Sequence, residues 1–459
     1  MSTDNPTTPS PQVVRRASTA GFLGTVVEAY DFLVYVFLIA YTAPLFFPSD
    51  DPVTGTLASL AVLGTGFLAR PLGGLFFGQL GDRRGRRFTL MITIVGMGAT
   101  TTLIGLLPTY ATIGVFAPVL LVILRLLQGF SAGGELIGST TFVSEHAGKN
   151  NHGKLSAVTP IGFAVGSSLA PGVVALLTFL LSEGSMADWG WRVPLLLSLP
   201  MTATCLILRL RLEDSPEYRR IVSEKKVPKA PLKELFSNHA RTLARVIVLS
   251  ASVLMIGYIA AAYLPVFLRQ EVGMKPGTAA AVASLGSAIG ISASIGAAFI
   301  VDRLGRKRTL ILLMGILGVT ILPVMYVMKA TGGNFGVTVL TFALIAGIAG
   351  AAAVPAYAAF TALFPAGVRF SGAAIGFGIG SALGGGFGPY LAGQFTAWTG
   401  NPFAPAFLVI VAAIVGVAVM VPVPSRGVAD DTGRIDGKLV DKGTKTRPEP
   451  DAHTADRVR

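Results

Sequence analysis

The sequence predicts an all-α polytopic membrane protein built from two similar bundles of six helices. Hydrophobic residues make up 52% of the 459 residues and charged residues only 13%, whereas charged residues reach about a quarter in ordinary soluble proteins. Apolar runs of membrane-spanning length alternate with short polar connectors along most of the chain. One charged connector recurs at about half the chain length, which is typical of tandem transmembrane bundles.

The repeated connector, called here the doubled motif, joins two apolar runs in each half of the chain. The first copy reads GQLGDRRGRR over residues 78–87 and the second reads VDRLGRKR over residues 301–308, at an offset of 220 residues. A basic cytoplasmic loop is the simple explanation for either copy alone, but the shared spacing favours an internal repeat. The matching positions are Asp82, Arg83, Gly85 and Arg86 in the first copy and Asp302, Arg303, Gly305 and Arg306 in the second.

Twelve apolar runs are long enough to form transmembrane helices. The hydrocarbon core of a bilayer is about 30 Å thick and requires about 20 apolar helical residues. We therefore predict spans near residues 20–46, 57–80, 88–107, 113–138, 155–181, 191–211, 243–268, 278–300, 309–329, 336–364, 371–396 and 403–423.

The distribution of basic residues predicts which side of the membrane each connector faces. If both termini are cytoplasmic, 31 of the 37 Lys and Arg residues lie on the cytoplasmic side and four lie outside. Cytoplasmic connectors of membrane proteins carry such an excess of Lys and Arg. We therefore expect a multi-pass protein of the cell membrane with both termini in the cytoplasm.

The predicted domain organisation follows from the position of the long polar segments. The first six-helix bundle should occupy residues 18–211 and the second residues 243–424, joined by a central cytoplasmic loop over residues 212–242. Polar composition without heptads predicts disorder at both ends. These disordered segments are the N-terminus, residues 1–17, and the tail, residues 425–459.

Composition argues against several other functions. The single cysteine, Cys205, and the lack of a Cys/His cluster in the sequence favour neither a disulfide nor a metal site. Residues 148–154 match the start of a phosphate-binding loop, but Leu155 stands where Ser or Thr is required. We expect no cofactor, no metal and no enzymatic activity. The net charge of +13 is explained by membrane orientation, so we expect no nucleic-acid partner.

The first span carries two carboxylates and two phenols in an otherwise apolar run. Glu28, Asp31 and Tyr35 fall within about 60° of one another on one helix face, and Tyr30 is close by in sequence. Charges at membrane depth are costly and mark pathways or partners. The carboxylates therefore either pair with a basic residue of a neighbouring helix, Arg70 or Arg125, or hold protons.

The second and fourth spans supply those basic residues. At 100° per residue, Arg125, Gln128 and Glu135 form one polar stripe along the fourth span. The stripe indicates either a solute pathway or a structural ion pair between helices. Arg70, followed by Pro71 in the second span, has the same two interpretations: a substrate contact or a structural pair.

These motifs resemble those of the metabolite:proton symporter branch of the major facilitator superfamily. Members of that branch take up organic acids such as α-ketoglutarate, citrate and shikimate, or proline and betaine. The resemblance covers residues 18–424 and includes the doubled motif, which begins at Gly78. The other matching motifs are VEAYDF at 27–32, RLLQGFSAGGE at 125–135, WRVP at 191–194, EDSPEY at 213–218 and LFPAGVRFSG at 363–372.

The resemblance implies a secondary transporter of the major facilitator fold. It implies uptake of a small carboxylate-bearing metabolite with protons by alternating access across the lipid bilayer. The substrate would be an organic acid or a zwitterionic osmolyte such as proline or betaine, and the transporter would act as a monomer. The alternatives are an uncoupled facilitator or exporter of the same fold, and a solute sensor that transports nothing.

The resemblance also implies roles for the polar residues. Glu28 and Asp31 would couple protons, with Glu135 as a further candidate. The substrate-binding residues would be Arg125, Arg70, Gln128, Tyr30 and Tyr35. The doubled motif would act as a cytoplasmic latch between helices, through Gly78, Asp82, Arg83, Gly85, Arg86, Asp302, Arg303, Gly305 and Arg306.

Overall fold

The computed structural model is almost entirely helical and confirms the predicted fold class. It describes residues 11–146, 157–211, 231–364, 369–423, 434–435 and 438–439. Within these residues, ten helices are long and apolar enough to cross a membrane. The twelfth predicted span is a shorter apolar helix, Ala404–Met420, and the eleventh is a glycine-rich helical segment, Arg369 to Thr399.

The first bundle contains the six predicted spans. A two-residue turn after Ala132 divides the fourth span, and a π-helical turn, π1, precedes the sixth. The helices are α1 (Pro11–Phe46), α2 (Pro52–Arg84), α3 (Arg86–Leu106), α4 (Tyr110–Ile113), α5 (Phe116–Ala132), α6 (Glu135–His146), α7 (Val158–Leu180), α8 (Glu183–Ser185), π1 (Met186–Gly190), α9 (Arg192–Leu196) and α10 (Ser198–Leu210).

The second bundle repeats the arrangement, with π-helical turns inside its first and fifth spans. A two-residue strand pair follows in the tail, where β1 and β2 are antiparallel. The elements are α11 (Pro231–Asn238), α12 (Ala240–Tyr258), π2 (Ile259–Tyr263), α13 (Leu264–Gln270), α14 (Pro276–Leu304), α15 (Arg306–Ala330), α16 (Phe335–Ala362), α17 (Arg369–Gly380), π3 (Ser381–Gly386), α18 (Phe387–Thr399), α19 (Ala404–Met420), β1 (Arg434–Ile435) and β2 (Lys438–Leu439).

Two pairs of spans form most of the contact between the bundles. The second span, α2, packs along the eleventh, and the fifth span, α7, packs along the eighth, α14. At the second contact Ser168 and Ser284 each donate a hydrogen bond to the backbone carbonyl of the other, at 2.9 and 3.0 Å. The interface between the bundles is therefore made mainly of four helices.

The two copies of the doubled motif have the same backbone geometry. In each, one helix ends and the next begins at a glycine with positive φ, 98° at Gly85 and 79° at Gly305, a conformation that glycine adopts without strain. Arg87 donates to the carbonyls of Arg209 and Leu210, at 3.3 and 2.6 Å. These carbonyls end the last helix of the first bundle.

Lys307 occupies the position that corresponds to Arg87 and makes the corresponding contacts. Its Nζ atom donates to the carbonyls of Val421 and Val423, at 2.7 and 2.6 Å, beyond the end of α19. Each copy of the motif thus holds the end of the last helix in its own bundle. The side chains of Asp82, Arg83 and Asp302, which were predicted to form the latch, lie outside the described part of the chain.

Several predicted boundaries need correction. Helix α1 begins at Pro11, so residues 11–17 are helical although disorder was predicted there. Ala17 is buried against Leu90 and Phe142, and this packing explains the extension. Residues 231–238 of the predicted central loop form α11, and the strand pair lies in the tail that was predicted to be disordered. Residues 1–10 and 212–230 lie outside the described residues.

Direct backbone contact between α2 and α5 provides a test of the packing. A Cβ atom added at Gly129 would overlap the carbonyl of Gly66, so we expect Gly129→Ala to destabilise the protein by about 1–3 kcal/mol through overpacking. At Gly296, inside α14, nothing lies within 4 Å of an added Cβ atom. Gly296→Ala is therefore the matched control. Thermal unfolding in detergent should show a lower midpoint only for Gly129→Ala, and equal midpoints would contradict the described contact.

Candidate functional site

A buried ion pair links the first two spans near the middle of the first bundle. Nη2 of Arg70 lies 3.5 Å from Oε1 of Glu28, and the two side chains are only 3% and 1% exposed. The guanidinium also lies over the rings of Phe32 and Phe67, 4.1 and 4.5 Å from their centroids. Cation–π contacts of this kind stabilise a desolvated cation.

The pair retains unused hydrogen-bonding capacity. Both carboxylate oxygens of Glu28, and Nε and Nη2 of Arg70, have no hydrogen-bond partner among the described residues. A buried polar group without a partner costs about 1–3 kcal/mol, and a charged group costs more. The pair is therefore held by charge and ring contacts, and its polar atoms remain available to a ligand.

A cavity of about 90 Å³ lies beside this pair, between the two bundles. Its walls come from the fifth, seventh, eighth and tenth spans and include Phe163, Tyr258 and Tyr357, with small Ala, Gly and Ser residues elsewhere. Tyr258 and Tyr357 both interact electrostatically with Arg70 and Glu28. The cavity wall thus contains two tyrosines that interact electrostatically with the ion pair.

The eleventh span positions that aromatic wall. Phe67 packs edge-on against Tyr258, with ring centroids 4.8 Å apart. A Cβ atom at Gly385, in π3, would lie 2.9 Å from Phe67 and 3.1 Å from Tyr258, so only glycine lets the backbone approach both rings. π-helical turns inside longer helices are frequent at functional sites. Here π3 brings the backbone of the second bundle against Phe67, whose ring contacts the Arg70 guanidinium.

A second polar cluster surrounds Asp31, three residues after Glu28 in α1. Arg125 donates to Oε1 of Gln128 at 2.7 Å, and the Gln128 amide donates to the Thr101 hydroxyl and the Asp31 carbonyl, at 2.7 and 3.3 Å. The guanidinium of Arg125 lies 3.9 Å from the ring centroid of Tyr35. Asp31 interacts electrostatically with Arg125. The structure therefore brings Asp31, Tyr35, Arg125 and Gln128 together, and of the two basic residues that the sequence offered, Arg125 is the one beside Asp31.

A third cluster surrounds Glu135 and contains a partner that sequence reasoning missed. Arg209, near the end of the sixth span, forms a bidentate pair with Glu135, in which Nη1 lies 2.9 Å from Oε2 and Nη2 donates to Oε1. Thr93 and Ser139 also donate to the carboxylate, at 2.7 and 2.9 Å. Both carboxylate oxygens of Glu135 therefore accept hydrogen bonds. Arg209 lies at the end of the predicted span 191–211, where a basic residue is expected for membrane orientation alone, so its position did not indicate a partner.

The predicted stripe of Arg125, Gln128 and Glu135 meets two different sets of partners. The fourth span is interrupted at residues 133–134, so α5 ends at Ala132 and α6 begins at Glu135. An added Cβ atom at Gly133 would overlap the carbonyl of Arg70, and this close approach accompanies the break. Arg125 and Gln128 face Asp31, whereas Glu135 belongs to the separate network with Arg209.

Tyr30 is the remaining predicted binding residue. It donates a hydrogen bond of 2.6 Å to the carbonyl of Pro194, so it joins the first span to the sixth.

Three aromatic residues at the cavity were missed by the sequence predictions. Phe67, Tyr258 and Tyr357 line or border the cavity, but a lone aromatic residue in an apolar span has no distinguishing pattern. The π3 turn, which contains Gly385, was not predicted either.

Comparisons with known proteins agree with this architecture. A model of the Major Facilitator Superfamily matches residues 21–331. The proline/betaine transporter of Escherichia coli (strain K12) is 33% identical over 419 residues, which cover 88% of this chain and 82% of that protein. The shikimate transporter of the same strain is 34% identical over 377 residues, covering 80% and 84%.

Solved structures show the same fold. A crystal structure of a D-xylose-proton symporter superposes with a TM-score of 0.71 at 17% identity, covering 90% of this chain and 98% of that one. The partially occluded inward-open xylose transporter of E. coli gives a TM-score of 0.70 at 18% identity, with the same coverage.

The Glu135–Arg209 pair predicts a specific stability pattern. Arg209→Gln leaves a carboxylate buried without its partner, so we expect a loss of about 3–5 kcal/mol. Replacing both residues, as Glu135→Gln with Arg209→Gln, removes the buried charge and should recover much of that loss. Arg211→Gln, at an exposed position beyond α10, is the control. A double variant as unstable as Arg209→Gln, measured by thermal unfolding in detergent, would contradict the pairing.

Proposed function

The chain belongs to the Major Facilitator Superfamily, and from that premise we propose that its substrate is a small carboxylate-bearing zwitterion. The chain is a multi-pass membrane transporter and not an enzyme, and its relatives and fold support proton-coupled symport of small metabolites. Among its relatives are transporters named for proline and betaine and for shikimate. All of these compounds carry a carboxyl group, which Arg70 is suited to bind.

The free hydrogen-bonding capacity of the Glu28–Arg70 pair carries the proposal. A carboxylate of the substrate would accept hydrogen bonds from Nε and Nη2 of Arg70, which have no partner in the described structure. A substrate ammonium group would lie between Glu28 and the rings of Tyr258 and Phe163. Cation–π recognition by aromatic side chains suits quaternary and secondary ammonium groups, and this favours proline or betaine over an acid, such as shikimate, that has no ammonium group.

In this proposal the two carboxylates of α1 have different roles. Glu28 would interact with the substrate together with Arg70 beside the cavity, and Asp31 would take up the proton beside Arg125. Tyr35 and Gln128 would then orient the proton site, and Tyr30 would support it by joining the spans. Glu135 would not carry protons, because breaking a buried and fully hydrogen-bonded ion pair is costly.

The proposal includes the orientation of the protein in the membrane and the closure of its cytoplasmic side. The charge distribution supports a cell-membrane protein with both termini and the doubled motif in the cytoplasm. Alternating access would move two rigid bundles about the interface of the second span with the eleventh and the fifth with the eighth. The doubled motif would control the cytoplasmic closure, with Asp82 and Asp302 as latch residues. A monomer contains both bundles and would suffice for transport.

Substrate uptake into proteoliposomes tests the binding role of Arg70. With an imposed pH gradient, we expect betaine or proline to accumulate and shikimate to accumulate less. Arg70→Gln should raise KM for the zwitterion by about tenfold or more, since a charge-assisted hydrogen bond contributes about 1.5–3 kcal/mol. Arg241→Gln, at an exposed position in α12, should leave KM unchanged. Equal KM values for the two variants would remove Arg70 from the binding site.

The coupling role of the carboxylates has a thermodynamic test. A potential of 100 mV supplies about 2.3 kcal/mol per charge, and at about 1.4 kcal/mol per tenfold it supports about fifty-fold accumulation. Replacing Glu28 by Gln and Asp31 by Asn should abolish accumulation and the alkalinisation of the medium, because amides cannot cycle a proton. Exchange of labelled substrate should persist, with a higher KM because Glu28 also contacts the substrate ammonium group. If the double variant still accumulates substrate with alkalinisation, the proton site lies elsewhere.

A further inference from the structure

Three glycines line the cavity between the bundles: Gly257, Gly290 and Gly350. Each lies inside a long helical segment, and none has a positive φ, so no turn or helix end requires glycine there. Glycine in the interior of a helix is less stable than alanine. Each of these glycines therefore needs another physical reason, either the close approach of a neighbouring helix or space that is left for another molecule.

Helix packing explains Gly290 and Gly350. An added Cβ atom at Gly290, in α14, would lie 2.9 Å from the backbone nitrogen of Gly347, in α16. One added at Gly350 would lie 2.7 Å from Oγ of Ser294, in α14. Both distances are shorter than a real Cβ atom adopts. These two glycines therefore let the eighth and tenth spans cross at short distance, as small residues do at other helix crossings in membranes.

Gly257 is not explained by helix packing. Apart from its chain neighbours and the backbone of its own helix, nothing lies within 4 Å of a Cβ atom added there, and the residue is half-buried. It lies in the interior of the continuous helical segment Ala240–Gln270. Because Gly257 lines the cavity, the space that a side chain would occupy is part of the cavity. Alanine would therefore stabilise the helix and narrow the cavity.

Gly257 lies in the middle of the cavity face of its helix. Val253, one turn earlier, and Ala261, one turn later, line the same cavity, since residues four apart share a helix face. The next residue, Tyr258, forms one aromatic wall and Phe163 forms another, with ring centroids 6.2 Å apart and an angle of 73° between the ring planes. The open space at Gly257 therefore adjoins two steeply inclined rings in a wall of mainly apolar and small side chains.

We propose that Gly257 is a specificity-determining residue, which leaves room for the alkyl groups of a substituted ammonium ion and makes a quaternary ammonium zwitterion the preferred substrate. This inference rests on the proposed function, in which the substrate ammonium group lies beside Tyr258 and Phe163. A quaternary ammonium group has no N–H to donate, so aromatic faces and apolar contacts around its methyl groups recognise it. One methyl group more or less in a pocket changes affinity by about 10–200-fold.

The stability of Gly257→Ala tests whether the space beside Gly257 is free. Alanine is a better helix former than glycine, so we expect a thermal midpoint in detergent equal to or above that of the unmodified protein. Gly315→Ala is the matched control, because Gly315 is exposed on α15, does not line the cavity and also has nothing within 4 Å of an added Cβ atom. A midpoint of Gly257→Ala below that of the unmodified protein would overturn the proposal, whether or not zwitterions are transported.

A series of N-methylated amino acids tests the selection by ammonium size. Free glycine, N-methylglycine, N,N-dimethylglycine and betaine share one carboxylate and differ only in the number of methyl groups on nitrogen. Each compound is tested as an inhibitor of labelled proline uptake into proteoliposomes. In Gly257→Ala we expect the inhibition constant to rise about tenfold or more for betaine, and progressively less as the number of methyl groups falls. Gly315→Ala should leave every constant unchanged.

The outcomes separate this proposal from the proposed function. If Gly257→Ala changes the constants of all these compounds by the same factor, Gly257 does not select by ammonium size, and the inference fails while zwitterion uptake stands. If the unmodified protein takes up neither proline nor betaine, the proposed substrate class fails and the inference fails with it.

Discussion

The cost of burying charge at membrane depth is the constraint on which the first bundle depends. An ionised side chain there needs an opposite charge or a full set of hydrogen bonds. Glu135 and Arg209 meet the requirement completely. Glu28 and Arg70 meet it by charge and ring contacts alone, and Asp31 faces Arg125 without a direct salt bridge. The three charged clusters therefore differ in how fully their polar atoms are hydrogen-bonded in the described structure.

Glycine makes these arrangements possible by letting helices approach closely. An added Cβ atom at Gly24 would overlap the Arg209 guanidinium, and one at Gly129 would overlap the backbone of α2. Without such contacts the charged groups of neighbouring spans would lie too far apart to interact. In the second bundle, Gly385 serves the same purpose against Phe67 and Tyr258. Small residues at helix crossings are the usual means of close packing in membranes, and here they also determine which side chains meet.

The doubled motif shows how repetition in sequence becomes repetition in structure. Gly85 and Gly305 both turn the chain at positive φ, and Arg87 and Lys307 both bind carbonyls at the end of the last helix of their own bundle. Basic side chains at helix C-termini also interact favourably with the helix dipole. Each copy therefore joins a helix junction of its bundle to the end of that bundle's last helix.

The sequence by itself determined the class of the molecule, because span length, charge balance and internal repetition are properties of the chain alone. It also indicated Glu28, Asp31, Arg70, Arg125 and Gln128 as candidate functional residues, since a charge or amide inside an apolar run stands out at any position. It could not determine partners. Whether Glu28 meets Arg70 or Arg125, that Glu135 meets Arg209 across 74 residues, and that Tyr258 lies beside Arg70 depend on how helices distant in sequence pack. Only the tertiary structure decides those distances, because burial and pairing arise between helices and leave no periodic signal within any one of them.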